Sequence, residues 1–402
     1  MTDTAELLSD AERHLYPNYR KPGLVFTHGA GSLLWDSAGR RYIDLFAGIA
    51  VCTLGHGDPR LTRALSEQTG RLIHLSNYYH SQPNIELARE LCARTGYDRA
   101  FFCNSGTEAN EAQLKLARRF FFERGETERF RVIAFENSFH GRTMGALAVT
   151  GQGKYREGFG PVPGATLVPY GNLEAVKQAM GPDVAAVLVE PIQGEGGGVV
   201  PPPGFLAGLR ALCDESGALL LGDEIQTGVG RTGTFLCFEQ AGVRPDAVAL
   251  AKGLGGGVPI GAVLTTERFA QVLAPGSHGT TFGGNPLASA AGLAVLHALT
   301  EDQLEARARS LGEVLGSLLA ALVQDLPCAL SHDGMGLLRT LQLHPEVDAG
   351  GVVATLRERG VLCIMAGRNS LRFVPALTIP EELLREGLAT VREVLQALPV
   401  QH

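Results

Sequence analysis

The sequence predicts an α/β protein: a large domain with a mostly parallel central sheet flanked by helices, and a smaller α+β domain. Three observations carry this. The chain has 402 residues, 45% of them hydrophobic, enough for a large core and for more than one domain. Ala185–Val189, Ala218–Leu221 and Ala247–Ala251 are near-continuous apolar runs, as strands covered on both faces require. Between the first two, "PPPGFLAGLRALCDESG" sets Phe205, Leu206, Leu209 and Leu212 at helical spacing, with prolines before them and Gly217 behind. Strand, helix and strand on that scale make a parallel βαβ unit.

In chain order, residues 1–40 carry Pro17, Pro22 and "HGAGSLLWDSAG" and read as an irregular arm with a small hairpin, packing with the smaller domain. Residues 41–290 alternate β-rich runs with helix-like segments and form the large domain. Residues 291–402 open near Gly292 with one long amphipathic helix whose stripe is Leu304, Leu311, Leu315, Leu318 and Leu322. Short strands follow around Leu337–Leu343, Val361–Met365 and Leu371–Val374. A last helix carries Leu383, Leu384, Leu388, Val391 and Leu395.

Composition narrows the function classes. The 51 glycines have no repeating period, which excludes a collagen or a flexible linker. A net charge of −7 argues against a nucleic-acid surface, while a local arginine still permits a small anionic substrate. The seven cysteines form no C-x-x-C pair and read as reduced thiols. The N-terminal "MTDTAELLSD" lacks an apolar signal region, and no apolar run reaches the length of a membrane span. A cytoplasmic protein without membrane attachment is expected.

"LLLGDEIQTGVGRTG" contains two decoys. An apolar run ending in Asp-Glu suggests an ATPase, but "GQGKYRE" fails as a phosphate loop because Tyr155 follows Lys154 and Ala148 replaces the first glycine. The G-x-G-x-x-G run begins well past the predicted strand and opens no clear helix, so a dinucleotide fingerprint fails on context.

Three other elements combine better. Asp223 stands at the carboxyl end of a predicted parallel strand, where open α/β sheets place ligands. Lys252 leaves another apolar strand into a Gly-rich turn; partial desolvation there lowers a lysine's pKa and makes it a usable nucleophile. "RAFFCNSGTEANEAQLKLARRF" reads as strand, turn and a helix beginning near Glu108, whose free N–H groups form an anion seat. Taken singly, Lys252 is a loop lysine and the Ser/Thr turn an ordinary helix cap. Together they are what pyridoxal 5'-phosphate needs: an aldehyde partner, a phosphate seat and a carboxylate to keep the ring nitrogen protonated. Gln226, one turn past Asp223, is placed for the ring hydroxyl.

"NSGTEANE", "SFHGRTMGAL", "VEPIQGEGG", "GDEIQTGVGRTG", "LAKGLGGGVPIGA" and "GTTFGGNPLA", in this order, resemble the class III pyridoxal-phosphate aminotransferases of fold type I. The likeness runs from about Pro22 to about Pro380 and is strongest to the acetylornithine aminotransferases.

The resemblance implies a role for each matching residue. Lys252 bonds the cofactor aldehyde and shuttles a proton; Asp223 partners the ring nitrogen; Gln226 contacts the ring oxygen. Gly106 and Thr107 seat the phosphate, and Phe139 stacks on the ring. Thr281 reaches the phosphate from a partner subunit, which implies a homodimer, and Thr280 touches substrate. Arg142 holds the amino donor's carboxylate, and Arg372 grips the α-carboxylate of glutamate as a planar fork. Glu195 pairs with Arg372 while a terminal amine reacts and frees it for glutamate. No metal ligand is implied, and His140, a lone histidine in a packed loop, reads as structural. The implied substrates are N2-acetyl-L-ornithine and 2-oxoglutarate. Ile49 stands where ornithine aminotransferases carry a tyrosine, which suits an acylated α-nitrogen. Succinyl-diaminopimelate, 4-aminobutyrate, ornithine and carrier-linked lysine-pathway amines are the alternatives within the family. An intramolecular glutamate-1-semialdehyde mutase and a non-catalytic or ATP-using protein are the alternatives outside that activity.

Overall fold

The computed structural model describes residues 4–160 and 164–398. At its centre are seven strands: β1 (Arg99–Cys103), β2 (Arg131–Phe135), β3 (Ala165–Val168), β4 (Val184–Val189), β5 (Leu219–Asp223), β6 (Ala247–Leu250) and β7 (Gly261–Thr265). Their spatial order is β1-β7-β6-β5-β4-β2-β3. The run from β6 to β3 is parallel throughout, and β7 is antiparallel to both of its neighbours.

Strand alternation feeds two cores. Val132, Ala134, Leu219 and Leu221 pack with Ala109, Leu116 and Phe120 of helix α1 (Gly106–Glu123). Ile133, Phe135 and Leu220 pack on the other face with Phe205, Leu206 and Leu209 of helix α2 (Phe205–Ser216). Coverage on both faces is why every residue of β4 to β7 is buried and why these strands read as unbroken apolar runs. Gly217 closes α2 in the left-handed region, as its position predicted.

Several boundaries differ from the sequence reading. The first stretch is more than an irregular arm, because a helix, Thr4–His14, precedes the hairpin Phe26–Ala30/Leu33–Asp36. The long C-terminal helix is two helices, α3 (Pro286–Glu301) and α4 (Leu304–Asp325). They are separated by Asp302 and by Gln303, which takes φ +49°, a conformation that side chains disfavour and sequence does not announce. The buried stripe of α4 runs through Leu304, Leu311, Leu315, Leu319 and Leu322, so Leu319 takes the place expected for Leu318. The expected strand Val361–Met365 is split at Cys363 between two sheets. Val361–Leu362 pairs in parallel with Arg41–Asp44, next to the hairpin. Ile364–Ala366 joins an antiparallel sheet with Ala329–Met335, Leu338–Leu343 and Ser370–Phe373.

The G-x-G-x-x-G run lies in turns that follow β5 and opens no helix. Arg231 within it is buried and donates to the carbonyls of Leu337 and Pro375, tying these turns to the C-terminal sheet. The carboxyl ends of β2, β4, β5 and β6 share one edge of the central sheet, and the start of β7 lies on that edge too.

The register of α4 is testable. Leu315→Ala should cost about 2–5 kcal/mol and Leu318→Ala clearly less, because only the first empties a filled core site. Urea unfolding of both variants measures this, and equal losses would contradict the stripe.

Candidate active site

At that edge a cavity of about 360 Å³ opens, lined by Gly106, Thr107, Phe139, Arg142, Glu190, Asp223, Gln226 and Lys252 among others. Each element brings its residue for a local reason. Asp223 is the last residue of β5 and is buried; its Oδ1 accepts from the Ile225 amide at 3.0 Å. Oδ2 accepts from Asn110 Nδ2 at 2.8 Å and from His140 Nδ1 at 2.7 Å. Three N–H donors thus meet one carboxylate taken out of water, as a buried anion requires.

Lys252 follows β6 in the left-handed region, with φ +38°. A non-glycine residue held there stores strain, which is common at functional positions. Desolvation by the surrounding protein pulls its ammonium below the ordinary lysine range, against the opposing pull of Glu195, Asp223 and Glu190.

The first turn of α1 has the form expected of the anion seat. Ser105 caps it by accepting from the Glu108 amide at 3.3 Å, while the amides of Gly106 and Thr107 have no partner among the described residues. The helix therefore starts at Gly106, two residues before the position read from sequence. A side chain at Gly106 would come within 2.8 Å of Ile225, and one at Gly141 would run into Thr107, so the seat closes only around glycine. The Thr107 hydroxyl is 3.0 Å from that of Thr143, which donates to Glu111.

Arg372, to which the resemblance gives glutamate's α-carboxylate, is 1% exposed. It donates to Glu195 Oε1 at 2.8 Å and to Gln226 Oε1 at 3.0 Å. Because arginine only donates, the Gln226 oxygen must face it, which leaves the Gln226 NH2 group for the cavity. Arg142 makes no hydrogen bond or ion pair among the described residues. Its guanidinium lies 3.7 Å from the centroid of the Tyr155 ring and 5.6 Å from that of Phe139, and Tyr155 meets Phe139 edge-on.

Two expected residues lie elsewhere. Thr280 accepts from Asn104 Nδ2 at 3.2 Å, beside the cavity. Thr281 is exposed and lines a different cleft, with His74, Asn77 and Asn84. Ile49, with φ +68°, is exposed, and Val51 rather than Ile49 lines the cavity.

Glu190 and Asn110 escaped the sequence reading, which took His140 only as structural. Glu190, just past β4, lines the cavity and accepts from the Phe139 amide at 3.2 Å; burial, and then Asp223, push its carboxyl well above the usual range. Asn110 and His140 reach Asp223 from α1 and from the loop after β2. The one available signal was position: Glu190 ends an apolar strand as Asp223 does.

With this geometry in place, the comparisons are consistent. The pattern of the family described as Aminotransferase class-III matches residues 15–395. An acetylornithine aminotransferase of Myxococcus xanthus is 48% identical over 94% of both chains. The N-acetylornithine aminotransferase of Stenotrophomonas maltophilia is 38% identical and superimposes with a TM-score of 0.84, covering 96% of this chain and 98% of that one. The ornithine aminotransferase of Toxoplasma gondii, 35% identical with a TM-score of 0.94 over 99% of this chain and 95% of that one, shows partial occupancy of PLP at its active site. The chain belongs to the class-III aminotransferases and works with pyridoxal 5'-phosphate.

Proposed function

We propose that this enzyme moves the ω-amino group of N2-acetyl-L-ornithine to 2-oxoglutarate, giving N-acetyl-L-glutamate 5-semialdehyde and L-glutamate. The observation that carries the reading is the pair of arginines: Arg372 buried against Glu195 and bonded to Gln226 of the cavity wall, and Arg142, which lines that cavity without an acidic partner among the described residues. One carboxylate site is open and the other is occupied by the enzyme's own acid. That suits a donor with a single carboxylate far from its reacting amine, followed by a dicarboxylate.

When bound, the cofactor supplies an aldehyde carbon that takes the amino group and a ring that takes up electrons from the breaking C–H bond. The chain's residues do the rest. The free amides of Gly106 and Thr107 seat the phosphate. Asp223, fixed by its three donors, would hold the ring nitrogen, the Gln226 NH2 would serve the ring oxygen, and Phe139 would supply an aromatic face. The Lys252 amine, with its pKa lowered by burial, is uncharged more often than a surface lysine. It would therefore serve as the nucleophile toward the cofactor's aldehyde and, once freed, as the group that takes up and returns a proton. Glu195 neutralises Arg372 while acetylornithine reacts and swings off it when glutamate's α-carboxylate arrives.

A second copy completes the site in this reading. Thr281 stands in an exposed strip with Ile73, Tyr78, Tyr79 and Phe282, of which Tyr78 is 92% exposed. A homodimer covers that strip and brings the partner subunit's Thr281 to the phosphate. No described helix is long and apolar enough to cross a membrane, and we place the enzyme in the cytoplasm.

Steady-state turnover with acylated and free diamines tests the substrate. Acetylornithine should exceed ornithine in kcat/KM by about 10-fold or more, and a clear preference for free ornithine would overturn the assignment. Glu195→Gln should slow the acetylornithine half-reaction and spare or speed the glutamate one, shifting their ratio at least about 10-fold, as expected when one group serves a single donor. An unchanged ratio refutes the switch. The pH dependence follows from Lys252. Since the uncharged amine reacts and burial lowers its pKa, cofactor capture by the apoprotein should rise with pH and level off below about 10.4, the usual lysine value. Stopped-flow absorbance reads it, and a plateau only at or above that pH would remove desolvation from the account.

A further inference from the structure

We infer that Asn110 is a positioning residue that acts on the cofactor ring through Asp223, with Gln113 fixing the orientation of its amide. This rests on the reading of Asp223 as the partner of the ring nitrogen, and it assigns a function to a residue of α1 not counted among the cofactor's contacts.

The argument begins with donors and acceptors. Asn110 is 0% exposed and its Nδ2 carries two hydrogens. One goes to Asp223 Oδ2 at 2.8 Å and the other to the His140 carbonyl at 2.8 Å. Both partners accept only, so the amide cannot turn round without setting its own oxygen against two others. Gln113, also buried, donates from Nε2 to Asn110 Oδ1 at 3.1 Å and to the Gly222 carbonyl at 3.3 Å. The Gly222 contact anchors the relay to β5 itself, one residue before Asp223. His140 closes the far side with its Nδ1 on Asp223 and its amide donating to Thr150 Oγ1 at 3.0 Å.

Residue type matters as much as geometry. An amide donates without bringing charge. A lysine or arginine in its place would neutralise Asp223 and weaken its hold on a cationic ring nitrogen, and an aspartate would repel it. Position matters too. Asn110 lies about 6 Å along α1 from Gly106, at 1.5 Å per residue, so one rigid helix holds the phosphate seat at its first turn and pins the carboxylate from the next. A purely structural asparagine would stabilise the fold without favouring a proton on the ring.

Asn110→Leu removes the donor and keeps the bulk. Cofactor affinity, read by fluorescence titration of the apoprotein, should fall about 10- to 100-fold, the scale of a lost hydrogen bond to a charged group. In the loaded protein, the pH at which visible absorption changes should move upward. A less firmly cationic ring withdraws fewer electrons from the carbon joined to Lys252. Gln113→Leu, which leaves Asn110 in place but unanchored, should move both readouts the same way by less, and it carries the test if Asn110→Leu does not fold. Asp223→Asn separates the two readings. If it lowers affinity and shifts the absorption while the Asn110 and Gln113 variants bind and titrate like wild type, the inference about Asn110 is wrong and the assignment of Asp223 stands. If Asp223→Asn itself changes neither readout, the assignment of Asp223 fails and takes the inference with it.

Discussion

A carboxylate buried at the end of a parallel strand needs donors, and the arrangement of this site follows from supplying them to Asp223. Its oxygens are met by the Ile225 amide, Asn110 and His140, drawn from three separate elements. That requirement sets how α1 lies on the sheet. Ala109 and Ala112, small and fully buried, let the helix approach β5 closely enough for Asn110 to reach across. The same approach leaves the first turn of α1 aimed into the cavity. Phosphate seat and ring partner are thus two consequences of one packing contact.

Glu190 shows what happens to a carboxylate given less. It lies in the same cavity with a single amide donor, and burial together with the nearby Asp223 pushes its carboxyl up. Burial and the neighbouring Asp223 favour the neutral form of Glu190, which has one amide donor where Asp223 has three. Its oxygen accepts from the Phe139 amide at the cavity wall.

How much of this was legible in the sequence follows from the kind of force involved. The strands were legible because coverage on both faces leaves an unbroken apolar signature, and α2 because prolines and Gly217 bracket it. Asp223 and Lys252 stand out as polar residues where apolar runs stop, and they became legible as a pair only together with the turn before α1, since Lys252 alone reads as a loop lysine. The break at Gln303 was not, since neither Gly nor Pro marks it and a glutamine in the left-handed region leaves no sequence signal. Asn110 and Gln113 were hidden for another reason. On α1 they interrupt an apolar face in a way any helix tolerates, and only their contacts with β5, over a hundred residues away, give them meaning. His140, read from the sequence as structural, holds Asp223 through its Nδ1, a contact that only the fold reveals.

The Glu195–Arg372 pair brings the electrostatics of the site to bear on its chemistry. Removing one member of a buried pair leaves the other uncompensated and is costly, so release of the pair has to coincide with arrival of a new anion. Exposure says which member moves: the arginine side chain is 2% exposed and the glutamate 19%. Arg372 is further held by Gln226, whose other end faces the cofactor's place. An arginine so fixed acts as a stationary fork, and the glutamate, nearer solvent, is the part free to give way. In the proposed reading, a neutral or singly charged donor tail offers no replacement anion there, so the pair would stay closed and Arg142 alone would hold the donor. A dicarboxylate brings its own second carboxylate, and the cost of opening the pair is offset only for that class of substrate. On that proposal, selectivity for two amino acids of different shape would follow from the energetics of one buried ion pair.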